Sequence, residues 1–478
     1  MLFCSTFSSL TAQIPTAVKK IMAEPYMKDA TFALQVKDMD NGKVIYHYNE
    51  DRLLAPASVL KTVSTATALD ILGGDYRYPT RIEYDGEVAD GVLKGNLYIK
   101  GSGDPSLGSS YFPGDREAFL KDWCNAVKQA GIREIKGAVI ADEQIFDTEG
   151  VCPKWTRENM GNYFAAGCFG LSVFDNAYKI FFTTGPVGSK VKIDGTEPKM
   201  DEHLIRFHNY LKVTPAKYDS TYILGVPYMA DRFIYGFVPA NKTRLAVKGD
   251  IPDPALFLST LLDKSLKKEG IKITGRPSTH RIETEALRWK QLPRKEIITT
   301  YSPELSEIAR VCNHVSHNLY ADALIKTVGI RYKKGKNEVI NSFEKGIKVA
   351  AAHWKSKGID IEPYQVYDGC GLAAANQVSA AFINDILIYM ATQSKSAESF
   401  KKSLPVGGEN GSVASFLKNT PLKGKVHLKS GSINGVRNYA GYVNKDGHHY
   451  VFSVFTNNYE GSLWRMDRRL EKLLVELF

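Results

Sequence analysis

The sequence has no long apolar run, no basic cluster and no metal-binding cysteine pattern. None of its 478 residues falls in an apolar stretch of about 18, so we expect no membrane-spanning helix. The net charge is +10, but the lysines and arginines are scattered, which argues against nucleic-acid binding. The six cysteines show neither Cys-x-x-Cys nor Cys/His metal spacing. We therefore predict no metal, no cofactor and no nucleic-acid partner.

What remains is the composition of a globular protein, with 44% hydrophobic and 24% charged residues, long enough for two or three domains. Met1 to Gln13 carry no charged side chain. They fit the remnant of a secretory signal ending near Ala12, and equally a frayed N-terminus. In an exported protein some cysteines could pair, for example Cys152 with Cys168. The alternative is that most cysteines are small buried hydrophobic residues.

Alternating apolar residues predict strands near both ends of the chain. Ala30–Val36 and Lys43–Tyr48 are joined by a turn-forming Asp-Asn-Gly. The C-terminal part is predicted to contain three strands and an amphipathic helix: Val426–Leu428, Val436–Val443, His449–Thr456 and Ser462–Phe478. Because strands from both ends enclose helical segments, we predict an α+β fold with one antiparallel sheet built from both termini and flanked by helices.

Helical periodicity predicts the following helices outside the middle of the chain: Ile14–Met22, Ala57–Leu72, Pro303–Asn313, Asn318–Lys334, Glu338–Gly358 and Ser379–Ser394. Residues 76–280 differ, because short alternating segments such as Leu93–Lys100 are separated by Gly, Pro, Asp and Asn. We predict mostly β-structure there, with one helix at Pro254–Glu269, inserted into the scaffold of the terminal strands.

Three short motifs follow one another: Ser58-Val59-Leu60-Lys61, Ser316-His317-Asn318 and Lys429-Ser430-Gly431. Together they supply a nucleophile, a base, a proton relay and a carboxylate clamp, as acyl transfer through a covalent serine ester requires. Each motif alone says little. Ser-x-x-Lys occurs six times, at Ser58, Ser189, Ser265, Ser342, Ser399 and Ser415. Ser-x-Asn occurs twice, and only Lys-Ser/Thr-Gly is unique.

Ser58 and Lys61 are the candidate nucleophile and base. They begin a predicted helix, and residues at i and i+3 share a helix face, so the hydroxyl and the amine can meet. Burial and a second cation, for which Lys429 is the candidate, would favour the neutral amine that a base requires. The alternative is an exposed helix pair, which we expect of the other five copies.

Ser316 and Asn318 fall at a predicted break between two helices, where side chains can point into a cleft. Ser316 could relay a proton to the leaving amine, while the Asn318 amide holds Lys61 and the substrate backbone. His317 would point elsewhere, although it is a conceivable general base. The alternative is that Ser316 and Asn318 are only helix caps.

Lys429-Ser430-Gly431 is predicted to end an apolar strand. Lys429 and Ser430 could hold a carboxylate through charge-assisted hydrogen bonds, and Gly431 would let the substrate backbone approach. The N–H of Ser432, with that of Ser58, would form an oxyanion hole. The alternative is a strand end and its turn.

With these motifs and four further stretches, the sequence resembles the low-molecular-mass class C serine DD-peptidases, D-alanyl-D-alanine carboxypeptidase/endopeptidases of the penicillin-binding protein 4 type. The stretches are Gly101–Leu107, Asn318–Asp322, Asp368–Leu372 and Leu404–Gly408. The spacing agrees, because this family inserts two domains between its first two motifs, and here 316 − 58 = 258 residues separate them.

The resemblance implies a serine β-lactamase/DD-transpeptidase-like domain from residues 14–78 and 285–478. The inserted region, 79–284, would hold two β-rich domains, 79–103 with 170–284, and 104–169. It also implies the roles of the site residues: Ser58 as acylated nucleophile, Lys61 as its base, Ser316 and Asn318 as the second motif, and Lys429, Ser430 and Gly431 as the third.

Two departures from the family pattern concern the walls of the site. Ser430 stands where threonine is commoner, and it keeps the hydroxyl. The family's Asp-Gly-Ser-Gly-Leu-Ser-Arg becomes Asp368-Gly-Cys-Gly-Leu-Ala-Ala374, which loses two hydroxyls and an arginine. This could alter the cleft wall or the substrate preference.

The implied function is that of an exported enzyme that cleaves D-Ala–D-Ala bonds and crosslinks in peptidoglycan peptides. β-Lactams would acylate it, and peripheral association with membrane or wall is compatible with it. One alternative is a serine β-lactamase, which needs a group that activates water, and no dedicated glutamate is identifiable. A second is a non-catalytic peptidoglycan-binding scaffold, against which the intact motifs argue.

Overall fold

The structure, a computed structural model, describes residues 16–335 and 338–478; the proposed signal remnant, residues 1–13, lies outside them. The α-helices are Thr16–Met22, Leu60–Leu72, Ala118–Gln129, Pro254–Lys268, His280–Glu285, Leu305–His314, Asn318–Gly329, Ser342–Ser356, Ala380–Thr392, Ala397–Ser403 and Leu463–Leu477. Short 3-10 helices are Pro25–Met27, Ala57–Val59, Tyr163–Ala165, Phe174–Asn176 and Gly411–Val413. Within the described residues, no helix combines the length and apolar character needed to cross a membrane.

A five-stranded antiparallel sheet joins the two ends of the chain. Its strands in spatial order are Val44–Tyr48, Thr31–Asp38, His448–Asn457, Val436–Lys445 and Val426–Ile433. The first two come from the N-terminal part and the other three from the C-terminal part, so the predicted sheet built from both termini is confirmed. This "terminal sheet" carries the third motif on its edge strand.

The helix Leu60–Leu72 lies inside the helical layer beside that sheet. Every residue from Leu60 to Leu69 is buried, and the helix contacts Leu305–His314, Asn318–Gly329 and Ala380–Thr392. Its threonine hydroxyls donate to backbone carbonyls of the same helix or of the turn just before it, and these hydrogen bonds allow polar residues to lie in a core. The helix that begins just after Ser58 is therefore fixed on all sides.

The inserted region is built from small sheets and two longer helices. Its strands are Pro79–Tyr84, Glu87–Ala89, Val92–Lys94, Leu97–Lys100, Glu134–Ile135, Val139–Asp142, Ala177–Thr183, Lys192–Glu197, Arg206–Asn209, Lys212–Thr214, Tyr222–Leu224, Asp231–Tyr235, Phe237–Pro239, Leu245–Asp250, Lys272–Ile273, Ser278–Thr279 and Lys295–Tyr301. Lys295–Tyr301 pairs with Pro79–Tyr84, although it lies beyond residue 284. The domain boundaries remain a prediction.

The predicted β-structure of Leu93–Lys100 is confirmed, whereas the prediction of one helix in this region was wrong. Leu93–Lys100 is two strands, because the chain turns at Gly95, where a Cβ would lie 2.2 Å from the Asp85 carbonyl oxygen. The helix Pro254–Lys268, which was predicted, is accompanied by a second helix, Ala118–Gln129, which was not. Its buried residues follow a helical period that the flanking glycine- and aspartate-rich loops obscure in the sequence.

The alternative of a disulfide between Cys152 and Cys168 is wrong. The five cysteines of the described residues are all free and buried: Cys124, Cys152, Cys168, Cys312 and Cys370. They behave as small core residues.

Candidate active site

Ser58 lies in a short 3-10 turn, Ala57–Val59, just before a buried helix. Two asparagines of the terminal sheet hold the start of this turn at Ala55. The Nδ2 of Asn438 donates to the Ala55 carbonyl at 2.8 Å, and the Oδ1 of Asn457 accepts from the Ala55 N–H at 2.8 Å. Because both asparagines are in paired strands, the sheet determines where Ser58 stands.

Lys61 and Ser58 meet as their spacing predicts. The Nζ of Lys61 lies 2.8 Å from the Ser58 hydroxyl oxygen and donates to the Cys370 carbonyl at 2.7 Å. Lys61 is fully buried. None of the other five Ser-x-x-Lys copies, all within the described residues, forms a serine–lysine hydrogen bond; Ser265, for example, donates to the Leu261 carbonyl.

The second motif occupies a tight turn between two helices. Ser316 has a φ of +59°, and its hydroxyl oxygen accepts a hydrogen bond from the Nζ of Lys429 at 2.9 Å. The prediction that the Asn318 amide holds Lys61 was wrong, because its Nδ2 instead donates to the Phe164 carbonyl at 2.6 Å. The helix-cap alternative is wrong, because His317 is at the N-cap position and no side chain caps the helix.

His317 packs against aromatic side chains. Its ring centroid lies 4.2 Å from that of Tyr320 and 5.4 Å from that of Tyr111. The Nε2 is 3.8 Å from Asp175 Oδ1. Burial lowers the pKa of His317 to about 4, so the ring is neutral near pH 7. His317 also borders the pocket that Ser58 lines, and its role as a general base stays a prediction to be tested.

The third motif was predicted to end a strand, but it lies within one. Val426–Ile433 continues through the motif because residues up to Ile433 keep pairing with the next strand, Val436–Lys445. Lys429 is fully buried, and its Nζ donates to the Ser430 carbonyl at 2.7 Å. Burial, followed by the nearby charge of Lys61, holds the pKa of Lys429 well below its usual range.

Gly431 brings the strand against the Ser58 turn, rather than making space for substrate. A Cβ there would lie 2.6 Å from the Pro56 carbonyl oxygen and 3.1 Å from the Ser58 nitrogen. The following residue, Ser432, is on the edge strand, whose alternate N–H groups face away from the sheet. Leu428, four residues earlier, uses its outward N–H to bond the Pro405 carbonyl, so the Ser432 N–H faces the same edge.

The Ser58 N–H makes no hydrogen bond to any part of the chain that the structure describes. It lies beside the strand that carries the outward N–H of Ser432, because only a glycine fits between that strand and the turn. Two free N–H groups on neighbouring backbone segments are what an oxyanion hole needs.

The loop of residues 368–376, which we call the Asp368 loop, positions Lys61. The buried Asp368 carboxylate accepts from the N–H groups of Gly371 and Ala373 and from Asn376 Nδ2, each at 2.8 Å, and from Trp155 Nε1 at 2.7 Å. Gly371 has a φ of +82°, and a Cβ there would lie 1.9 Å from the carbonyl oxygen of the residue before Ser58. The sequence indicated this loop only through its Asp-Gly-x-Gly pattern.

Asp322 links the second motif to the same loop. It lies one turn after Asn318, is fully buried, and its Oδ1 accepts from the Gly369 N–H at 2.8 Å. Burial, and then the charge of Asp368, raise the pKa of Asp322 to about 8. Asp322, Asp368 and Cys370 have their ligand atoms within 4.8 Å of one another, but N–H donors already occupy both Asp368 oxygens, so we infer no metal there.

A pocket of about 550 Å³ opens in front of Ser58. Ser316, Asn318 and Ser432 line one part of it, and Tyr163 of the inserted region lines another. Lys429 is not on the wall and reaches the pocket through Ser316. The Ser430 hydroxyl lies 3.3 Å from that of Ser412. Among the described residues that line the pocket, Glu158 is the one carboxylate, and it belongs to no motif that would have selected it beforehand.

The family described as D-Ala-D-Ala carboxypeptidase 3 (S13) matches residues 14–471. The D-alanyl-D-alanine carboxypeptidase of Actinomadura sp. (strain R39) is 25% identical over 463 residues, covering 93% of this chain and 81% of that protein. The carboxypeptidase DacB of Haemophilus influenzae is 22% identical over 446 residues, covering 88% of this chain and 84% of that protein.

Among solved structures, penicillin binding protein 4 from Haemophilus influenzae superposes with a TM-score of 0.81 at 21% identity, over 97% of this chain and 98% of that one. Its complex with a β-lactam superposes with a TM-score of 0.76. The α+β fold with inserted β-rich parts is thereby confirmed.

Proposed function

This chain belongs to the D-Ala-D-Ala carboxypeptidase 3 (S13) family and is a serine-type DD-peptidase, and we propose that Ser58 carries its acyl-enzyme. One observation supports this most strongly: the Nζ of the fully buried Lys61 lies 2.8 Å from the Ser58 hydroxyl, at the wall of a pocket of about 550 Å³. A nucleophile within hydrogen-bond reach of its base, facing open space, is the arrangement that covalent catalysis requires.

Lys61 takes the proton of the Ser58 hydroxyl while Oγ attacks the carbonyl carbon of the scissile bond. For this, Lys61 must be neutral. Burial, and then the charge of Lys61, hold the pKa of Lys429 well below its usual range. In our proposal the negative charge of the substrate carboxylate favours the protonated form of Lys429, and the charge on Lys429 in turn favours the free amine at Lys61.

The oxygen of the tetrahedral intermediate accepts hydrogen bonds from the N–H groups of Ser58 and Ser432. Removal of one such donor typically costs about 3–4 kcal/mol of transition-state stabilisation. The Ser316 hydroxyl, 2.9 Å from Lys429 Nζ, passes a proton to the leaving nitrogen as the C–N bond breaks. Water then attacks the ester carbonyl, and its proton restores the Ser58 hydroxyl.

Lys429 and Ser430 are the proposed carboxylate clamp, and because Lys429 is not on the pocket wall, it acts on the carboxylate through the Ser316 hydroxyl that it contacts. The Ser430 hydroxyl contacts only another hydroxyl, that of Ser412 at 3.3 Å, among the described residues, and can exchange it for a substrate oxygen. Asn318 and Gly431 act by position: Asn318 borders the pocket, and Gly431 keeps the strand against the Ser58 turn. The substrate is a peptidoglycan stem peptide or crosslink, and the enzyme works outside the cytoplasm, where that polymer is found.

β-Lactams are proposed to acylate the same serine. The test is labelling of the purified full chain with a fluorescent penicillin, followed by release of D-Ala from a D-Ala-D-Ala peptide. We expect Ser58→Ala to lose both signals. Ser265→Ala, which removes the serine of another Ser-x-x-Lys on a helix, should keep both. Labelling of a folded Ser58→Ala protein would contradict the assignment.

A β-lactamase is the second candidate, because Glu158 lines the pocket. It is an exposed carboxylate, and its Oε1 lies 3.5 Å from the Thr156 hydroxyl. Because this carboxylate faces solvent, we expect slow deacylation and a penicilloyl-enzyme that lasts many minutes, in the wild type and in Glu158→Gln alike. A lifetime of seconds that Glu158→Gln lengthens would favour the β-lactamase. A scaffold would bind a crosslinked muropeptide without cleaving it.

A further inference from the structure

A second, smaller cavity adjoins the active-site pocket. Its volume is about 70 Å³, and three residues line both cavities: Tyr111, Tyr163 and His317. Its far wall is the outer face of the three-stranded sheet formed by Lys192–Glu197, Ala177–Thr183 and Leu245–Asp250. We call it the side pocket. A group bound there would be continuous with a ligand at Ser58.

A row of charges crosses this sheet. Lys179 stands directly opposite Glu197 on one neighbouring strand and directly opposite Lys248 on the other. Like charges directly opposite each other destabilise a sheet. The Nζ of Lys179 lies 3.8 Å from Oε1 of Glu197, whereas no carboxylate of the described residues lies within 4 Å of the Lys248 ammonium. The paired lysines are thus an unfavourable arrangement that a bound anion would relieve.

Lys248 is held at the junction of the two cavities. Its Nζ lies 5.3 Å from the centre of the Tyr163 ring, a cation–π contact, and Tyr163 lines both cavities. Arg116 contributes a second cation to the side pocket. Its Nε donates to the Gly108 carbonyl at 2.9 Å and its guanidinium lies over the Phe174 ring, so that it too has no carboxylate partner among the described residues.

The two acidic residues of the side pocket already have partners. Glu197 faces Lys179. Asp175 accepts from the Tyr320 hydroxyl at 3.1 Å and lies 3.8 Å from the His317 ring nitrogen. Three cations therefore face two carboxylates, and the cations without a partner are Lys248 and Arg116.

We propose that the side pocket binds a second carboxylate of an acidic peptide substrate, separate from the terminal carboxylate, with Lys248 as its main contact and Arg116 as the other. This rests on the proposed function, because the peptide must be seated at Ser58 to extend past Tyr163. The carboxylate replaces the water around Lys248 and forms a charge-assisted hydrogen bond with its ammonium. Lys248 is thereby a specificity residue and takes no part in bond breaking.

The test compares two synthetic peptides that end in D-Ala-D-Ala and differ at one residue on the acyl side, which is a free carboxylate in one and a carboxamide in the other. We expect the wild type to prefer the carboxylate about three- to tenfold in kcat/KM, mainly through KM, as a partly exposed ion pair permits. Lys248→Ala should abolish this preference and Lys248→Glu reverse it. Lys190→Ala, an exposed lysine of the same region that lines neither cavity, should keep it.

The two proposals fail in different ways. If the wild type is not labelled by fluorescent penicillin and cleaves neither peptide, the proposed function is wrong. If it is labelled and cleaves both peptides equally, or if the preference persists in Lys248→Ala as it does in Lys190→Ala, the side pocket does not bind a carboxylate.

Discussion

The Nζ of Lys61 donates to the carbonyl oxygen of Cys370 at 2.7 Å, a contact between residues 309 positions apart in the sequence. The same nitrogen reaches the Ser58 hydroxyl at 2.8 Å. The lysine is thus fixed between its own motif and the Asp368 loop. Because one misplaced catalytic group can cost about a hundredfold in rate, residues that shape this loop should control the chemistry without touching the substrate.

Asp368 is the first such residue. Asp368→Ala leaves three backbone or side-chain donors of its own loop, and the Trp155 indole, without a buried acceptor. We expect a loss of about 3 kcal/mol or more in the free energy of unfolding, measured with urea, and slower penicillin acylation. The control is Asp360→Ala, an exposed aspartate near the same loop, for which we expect a change of less than about 0.5 kcal/mol.

Gly371 is the second residue that shapes the Asp368 loop. Gly371→Ala adds a Cβ 1.9 Å from the Ala57 carbonyl oxygen at a φ of +82°, so that either the loop or the Ser58 turn must move. We expect acylation to fall about a hundredfold. The matched control is Gly358→Ala, which has a φ of +80° and no atom within 4 Å of the added Cβ. Gly358→Ala therefore introduces only the backbone strain of a positive φ, about 1 kcal/mol, and no steric clash. Equal acylation rates for the two variants would refute the steric argument.

Asp322 should make stability depend on pH. Its folded pKa of about 8 exceeds the unfolded value of about 3.9, so its contribution is complete below pH ~4 and is lost as pH rises towards 8. Asp322→Asn keeps an acceptor for the Gly369 N–H and removes the titration. We expect the stability of the wild type, relative to this variant, to decrease from pH 5 to pH 8 in urea titrations.

Comparing the wild type with Asp322→Asn cancels the pH dependence of stability that comes from other carboxyl groups with a raised pKa. Burial also raises the pKa of Glu143 to about 7 and that of Asp104 to about 6, and both are present in either protein. A difference in unfolding free energy that stays constant between pH 5 and pH 8 would show that Asp322 is ionised in the folded state.

His317 should be absent from the pH–rate profile. Because burial lowers its pKa to about 4, no rate change between pH 5.5 and 7.5 should arise from this ring. His317→Phe keeps an aromatic ring against Tyr320 and Tyr111, and we expect its acylation profile to parallel that of the wild type. Loss of a rising limb near pH 6–7 in the variant would instead identify His317 as a general base.

Local elements of the fold were largely predictable. The strands near both termini follow the period of two, and the helix after Ser58 follows the helical period, so both were placed within a few residues. The helix Ala118–Gln129 was missed because its flanking loops resemble the β-rich sequence around it. The third motif was placed at a strand end, although the strand runs to Ile433, because strand length depends on pairing with a neighbour.

The order of the amino acids is enough to specify which side chains are available for the chemistry and that Ser58 and Lys61 meet, since residues i and i+3 on a helical turn are close. Three contacts of the site arise only when the chain folds: Lys429 with Ser316, Asn318 with Phe164, and Lys61 with the Asp368 loop. These contacts join residues more than a hundred positions apart, and their geometry is set by buried packing and by glycines such as Gly431, which no local pattern encodes.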